Sequence, residues 1–114
     1  MQELMIWLYG KSDRNKHIRE MALKAVELLK KNPSMDYQEL CKALNIGFTE
    51  YQKPKRTFYF VVNPLKNVQL IQEKRMYEGG KKNKYKTHYF LTPDRFLGYM
   101  TKIVEDFHGN VKEN

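Results

Sequence analysis

One cysteine, Cys41, is all that the 114 residues contain, so the chain forms no intrachain disulfide and no multi-cysteine zinc site. That usage is compatible with a reducing compartment. Long apolar runs are missing too: neither Leu4 to Tyr9 nor Phe58 to Val62 approaches the roughly 20 residues a bilayer-spanning helix needs. The apolar stretch Leu4 to Tyr9 follows Glu3, is too short for a signal-peptide core and lacks a small-residue cleavage site, so a cytoplasmic location is expected. His17, His88 and His108 lie far apart, without the i, i+4 spacing of a helical metal pair. Neither a glycine-rich phosphate loop nor a nucleophile elbow occurs, and no Glu-x-Lys or Asp-x-Lys follows Pro93-Asp94. No metal, cofactor, membrane contact or small-molecule ligand is therefore expected, and no enzymatic activity.

What is abundant is positive charge. The net charge is +8, with 21 Lys and Arg against 13 Asp and Glu, which argues for a polyanionic partner. Residues 53 to 88 hold ten of the bases (Lys53, Lys55, Arg56, Lys66, Lys74, Arg75, Lys81, Lys82, Lys84 and Lys86) and only Glu73 and Glu78 as acids, so this segment carries the whole excess. A single lysine serves solubility; ten in so short a span read as a phosphate-binding surface. A length of 114 residues fits one small domain whose core a second copy can complete.

Ile18, Met21, Ala22, Ala25, Leu28 and Leu29 fall at helical spacing behind Asp13 or Asn15 as cap, and Asn32-Pro33 stops the helix. Asp36 and Glu39 predict a capping box for a second, shorter helix, with Met35 and Leu40 as its hydrophobic staple and Leu40, Cys41 and Leu44 buried. Cys41 reads as a small core residue there. Asn45 to Gly47 turns the chain, Phe48 to Lys53 is irregular, and Pro54 suits the first position of a third helix. Thr57 to Val62 is dense in β-formers, yet as a helix it lines up Phe58, Val61, Val62 and Leu65 and leaves Arg56, Tyr59 and Asn63 opposite. Helix is preferred on context, although Phe60 then points outward and Pro64 distorts the last turn. Leu70 to Tyr77 and Tyr85 to Leu91 bracket a basic, glycine-containing hairpin loop. Thr92 caps a last helix with Pro93 at its first position and Gly109 at its end, and Phe96, Leu97, Met100, Ile103, Val104 and Phe107 form its apolar stripe. Phe96, Met100, Ile103 and Phe107 are the candidate dimer contacts.

The stretch Pro54 to Arg75, with Leu70-Ile71 entering a strand, and the later Tyr89-Phe90-Leu91-Thr92-Pro93 together resemble the winged helix-turn-helix family over residues 13 to about 108. In style the chain is similar to small regulators of archaea and of archaeal viruses or plasmids, which in the viral case implies the host cytoplasm. The resemblance implies an α+β, mainly helical fold: an N-terminal apolar extension (1–12), a winged core (13–92) with a two-stranded wing hairpin, a closing or dimerisation helix (93–109) and a tail (110–114). Gln69 stands where the family commonly has glycine. The implied activity is homodimeric binding of duplex DNA as a transcriptional regulator. Arg56 and Asn63 would read bases, and Thr57 and Tyr59 would touch phosphate or a thymine methyl. Lys53, Lys55 and Lys66 would position the third helix, and Lys74, Arg75, Lys81, Lys82, Asn83, Lys84 and Lys86 would lie along the wing. About seven phosphate contacts would give a salt slope near −6. The alternatives are a non-specific nucleic-acid binder, architectural, replicative or RNA-binding, and a winged-helix protein-interaction module.

Overall fold

The computed structural model describes residues 1–77, 79 and 84–112. They form five α-helices and a three-stranded antiparallel sheet, an α+β arrangement compatible with a winged helix. Helix α1 spans Gln2–Tyr9 and α2 spans Lys16–Lys31. The predicted stripe of α2 faces inward, with Ile18, Ala22, Ala25 and Leu29 buried and Met21 and Leu28 half-buried against the core. Asn15 stands at the N-cap as expected, but its side chain makes no cap hydrogen bond: Asp13–Asn15 form a 3₁₀ turn, and the Asn15 Nδ2 donates to the Tyr9 carbonyl (2.9 Å). Asn32 closes the helix through its backbone N–H to Leu28.

Strand β1 (Met35–Asp36) leads directly into α3 (Tyr37–Ala43). The capping box forms as its sequence requires: the Glu39 N–H donates to the Asp36 carboxylate at 2.8 Å, and the Asp36 N–H donates to the Glu39 carboxylate at 3.2 Å. Burial by itself raises the Asp36 carboxyl. The hydrogen bonds from Glu39, the positive charge of Lys86 and the Gln38 N–H outweigh burial and hold it below the usual carboxylate range. Met35, Leu40, Cys41 and Leu44 are buried. The Cys41 thiol, pushed up to about 11 by burial, is a protonated core side chain.

Helix α4 spans Arg56–Asn67, so the aromatic run is helical. It begins two residues after Pro54, which is not in its first turn. Pro54 is instead buried in a bridge with Phe48, and the Lys55 N–H donates to the Gly47 carbonyl (3.0 Å), which keeps this stretch extended. Pro64 lies inside the helix without ending it; it has no N–H to make the i→i−4 bond to the Phe60 carbonyl. Phe58, Val61, Val62 and Leu65 are the helix's fully buried contribution to the core.

The sheet has the order β1-β3-β2, with β2 at Ile71–Tyr77 and β3 at Tyr85–Leu91. It therefore has three strands where two were expected. Met35 pairs with Tyr89 and Asp36 with His88, a pairing too short to leave a period in the sequence. Gln69, between α4 and β2, adopts the left-handed conformation with φ 63°. Its carbonyl accepts the Thr92 hydroxyl at 2.8 Å, and the Thr92 N–H donates to Leu70 at 2.8 Å. Thr92 thus ties the two ends of the hairpin together rather than capping the last helix with its side chain.

Helix α1 packs on α2 and α4 through buried Met5, and the Tyr9 hydroxyl donates to the Val61 carbonyl. Helix α5 (Pro93–Lys112) continues through Gly109 instead of stopping there. Only its first turns touch the body, through Phe96 and Tyr99, and residues 101–112 are all exposed. The radius of gyration is 16.4 Å, whereas a compact chain of this length has about 13 Å. The difference reflects a helix about 30 Å long that largely stands away from the core.

Candidate nucleic-acid interface

The amphipathic geometry of α4 defines one outward face. With the core residues turned inward, Arg56, Phe60, Asn63 and Asn67 follow one another at i, i+4, i+7 and i+11 and are all exposed. Tyr59, 42% exposed, flanks them on the side of the hairpin, and half-buried Thr57 lies on the opposite flank. Arg56 and Asn63 thus share the face expected of them, while Thr57 is turned from its centre. Asn67 joins this face although it was not among the expected site residues. Continuing the same spacing one turn further would have found it.

The basic residues divide into groups. Lys53 and Lys55 are exposed just ahead of α4, beside Arg56. Lys66, near the other end of the helix, forms an ion pair with Glu73 of β2 (2.9 Å). Side chains alternate along the hairpin, so the register places Glu73, Arg75 and Tyr77 on one face with Tyr85, Thr87 and Tyr89. That face packs on α4, with Tyr89 edge-on to Phe58 at 5.6 Å between centroids. Arg75 lies over the Tyr85 ring at 4.7 Å, and Tyr77 meets that ring edge-on. Lys74, Lys86 and His88 belong to the other face, where Lys86 approaches the Asp36 carboxylate at 4.0 Å. The hairpin's bases are therefore split between two faces. Lys84 is exposed, and Lys81, Lys82 and Asn83 lie outside the described residues.

Exposed Arg and Asn on one helical face can hydrogen-bond in pairs to purine edges, and an exposed Phe can cover a thymine methyl. Lys53, Lys55 and Lys84 present point charges suited to phosphates. Of the four candidate dimer contacts, Ile103 and Phe107 are exposed at 41% and 67%, while Phe96 and Met100 are half-buried. Among the described residues no three His, Cys, Asp or Glu side chains gather as a metal site, and no helix is long and apolar enough to cross a membrane.

No protein-family model matches the chain, and no curated protein matches it. Its fold is similar to that of a solved protein from Methanosarcina mazei Go1 described as a possible transcriptional regulator. The two share 13% identity with a TM-score of 0.52, over 98% of this chain and 86% of the other.

Proposed function

We propose that this chain is a duplex-DNA-binding transcriptional regulator of the winged helix-turn-helix type. Helices α3 and α4 would form the helix-turn-helix and the β2–β3 hairpin the wing. The observation that carries this reading is the outward face of α4, where Arg56, Phe60, Asn63 and Asn67 stand in line behind the exposed Lys53 and Lys55. An α-helix fits the major groove, and this side-chain set matches guanine, thymine methyl and adenine contacts. The wing would reach flanking phosphates or the minor groove with Lys84 and with Lys81, Lys82 and Asn83. Likeness of fold to a possible regulator supports this reading without specifying a target. The protein would act in the cytoplasm and without catalysis.

The regulator would work as a two-fold dimer. On α5, Leu97, Met100, Val104, Phe107 and Val111 alternate spacings of three and four, the pattern of a coiled-coil seam. Four of them are more than half exposed. Phe96 and Ile103 flank that seam. Pairing with a second copy would cover it and place two α4 helices against half-sites about one helical turn of DNA apart.

The test is fluorescence anisotropy of a labelled random 30-base-pair duplex across several salt concentrations, followed by selection for preferred sequences. Binding with a steep negative salt slope is expected, and Arg56→Ala or Asn63→Ala should cost about 1–3 kcal/mol on the selected site and much less on random duplex. Binding that never distinguishes sequences would leave a non-specific nucleic-acid binder. No binding at low salt would overturn the DNA reading and turn attention to an acidic protein partner.

A further inference from the structure

Between the N-terminal half of α4 and the hairpin lies a cavity of about 290 Å³, at the small end of ligand-binding sites. Tyr37, Tyr59 and Tyr85 line it together with the buried rings of Phe58 and Tyr89. Tyr59 and Tyr85 remain 42% and 45% exposed, so two of these rings are not spent on the core. Each is nevertheless held: Tyr59 edge-on to Phe58 at 5.5 Å, and Tyr85 by the guanidinium of Arg75. Gln52 and Lys53 reach the cavity from the loop before α4. There the Thr49 N–H donates to the Lys53 carbonyl at 2.7 Å, and Gln52 is kept at φ 63°.

A cluster of aromatic rings suits two kinds of ligand, organic cations and planar aromatic rings. Charge decides between them. No Asp or Glu is among the described residues that line the cavity and its one charged group is Lys53; Glu73, which reaches the lining residue Tyr89, is already paired with Lys66, and Arg75 lies over the Tyr85 ring. A methylammonium group would meet like charge, whereas a nucleobase carrying a phosphate would stack on tyrosine, hydrogen-bond to the Gln52 amide and pair with Lys53.

We infer that this cleft is a binding site for a single unpaired nucleobase with its phosphate, adjoining the outward face of α4 and sharing Lys53 with it. The ligand is a nucleotide in either of two forms, an unpaired residue of a nucleic-acid strand or a free mononucleotide. The inference rests on the nucleic-acid reading for the chemistry of its ligand but not on recognition of paired sequence.

Its test uses 2-aminopurine, a fluorescent base quenched by stacking, in four probes: the free nucleoside monophosphate, a 15-base single strand, the same strand fully paired, and that duplex with the labelled base bulged out. Added protein should quench the single strand and the bulge but not the fully paired duplex. Quenching of the free monophosphate at the same protein concentration would identify a mononucleotide ligand; quenching confined to strands would identify an unpaired residue. Tyr85→Leu, which keeps apolar bulk on an exposed strand position, should weaken binding of the quenched probes about tenfold, and Tyr85→Phe should retain it. Unquenched fluorescence with every unpaired probe, or quenching indifferent to Tyr85→Leu, would overturn the inference. Anisotropy of the paired duplex in the same titrations reports the regulator reading separately: steep salt-dependent duplex binding without quenching refutes the cleft alone.

Discussion

The Lys66–Glu73 ion pair makes a sharp prediction about how the basic face meets DNA. Glu73 ties up Lys66 at 2.9 Å, with the two side chains 30% and 44% exposed, so in the free protein this lysine is already partly neutralised. Each phosphate contact contributes about −0.9 to the slope of log K against log salt. Replacing Glu73 by Gln removes the competing carboxylate, leaves an amide of the same shape and frees Lys66 for phosphate. The slope should then steepen by up to about 0.9, which is roughly a 3.5-fold larger loss of affinity for a fourfold rise in salt. Neutralising an exposed lysine that has reached phosphate, as in Lys53→Gln, should change the slope by about the same amount in the opposite direction. The assay is anisotropy of a 30-base-pair duplex between 50 and 200 mM salt for the parent and both variants. The reasoning fails if Glu73→Gln leaves the slope unchanged while Lys53→Gln flattens it, because Lys66 would then lie away from the phosphates.

Three further outcomes can be checked. Gln69→Gly should stabilise the protein by roughly 0.5–1 kcal/mol in a thermal melt, because a left-handed residue with a side chain costs about 1–2 kcal/mol and glycine returns part of that as chain entropy. A lower melting temperature would show that the Gln side chain contributes contacts outweighing the strain. Asp36, whose carboxyl is held below its ordinary value, stabilises the fold at pH above about 4, and that contribution disappears as the pH falls through its lowered folded value. Asp36→Ala should cost about 1 kcal/mol at neutral pH and flatten the acid limb of the stability curve, as read by urea melts from pH 2 to 7. Val104→Glu, on an exposed helix position, should yield a monomer by sedimentation with unchanged circular dichroism, whereas an intact dimer would put any interface away from α5.

The residues differ in how much of this was legible from their order alone. Asp36 and Glu39 announced their capping box because both partners of the two hydrogen bonds lie within four residues. The stripe of α2 announced itself by period, and the aromatic run 57–62 could be read as helix because its apolar positions continue to Leu65. Where the deciding contact lay outside the element itself, sequence misled. Pro54 looks like a helix start, yet Phe48 and Gly47 hold that stretch extended. Asn15 looks like a cap, yet its amide turns to Tyr9. Gly109 looks like a stop, but α5 continues to Lys112; glycine weakens a helix by only about 1 kcal/mol.

The candidate site divides along the same line. Arg56 and Asn63 lie on one face of one helix, and their shared direction follows from 3.6-residue periodicity alone. The sequence by itself also determined the concentration of charge between residues 53 and 88, which no folding can alter. Only the tertiary structure decided how that charge is deployed. Strand register sends Arg75 and Lys74 to opposite faces, Glu73 crosses to meet Lys66, and four tyrosines from α3, α4 and β3 converge on one cleft. Tyr37 and Tyr89 lie far apart in sequence, and even Lys66 and Glu73, seven residues apart, belong to different elements; local propensity carries no information about which elements pack together.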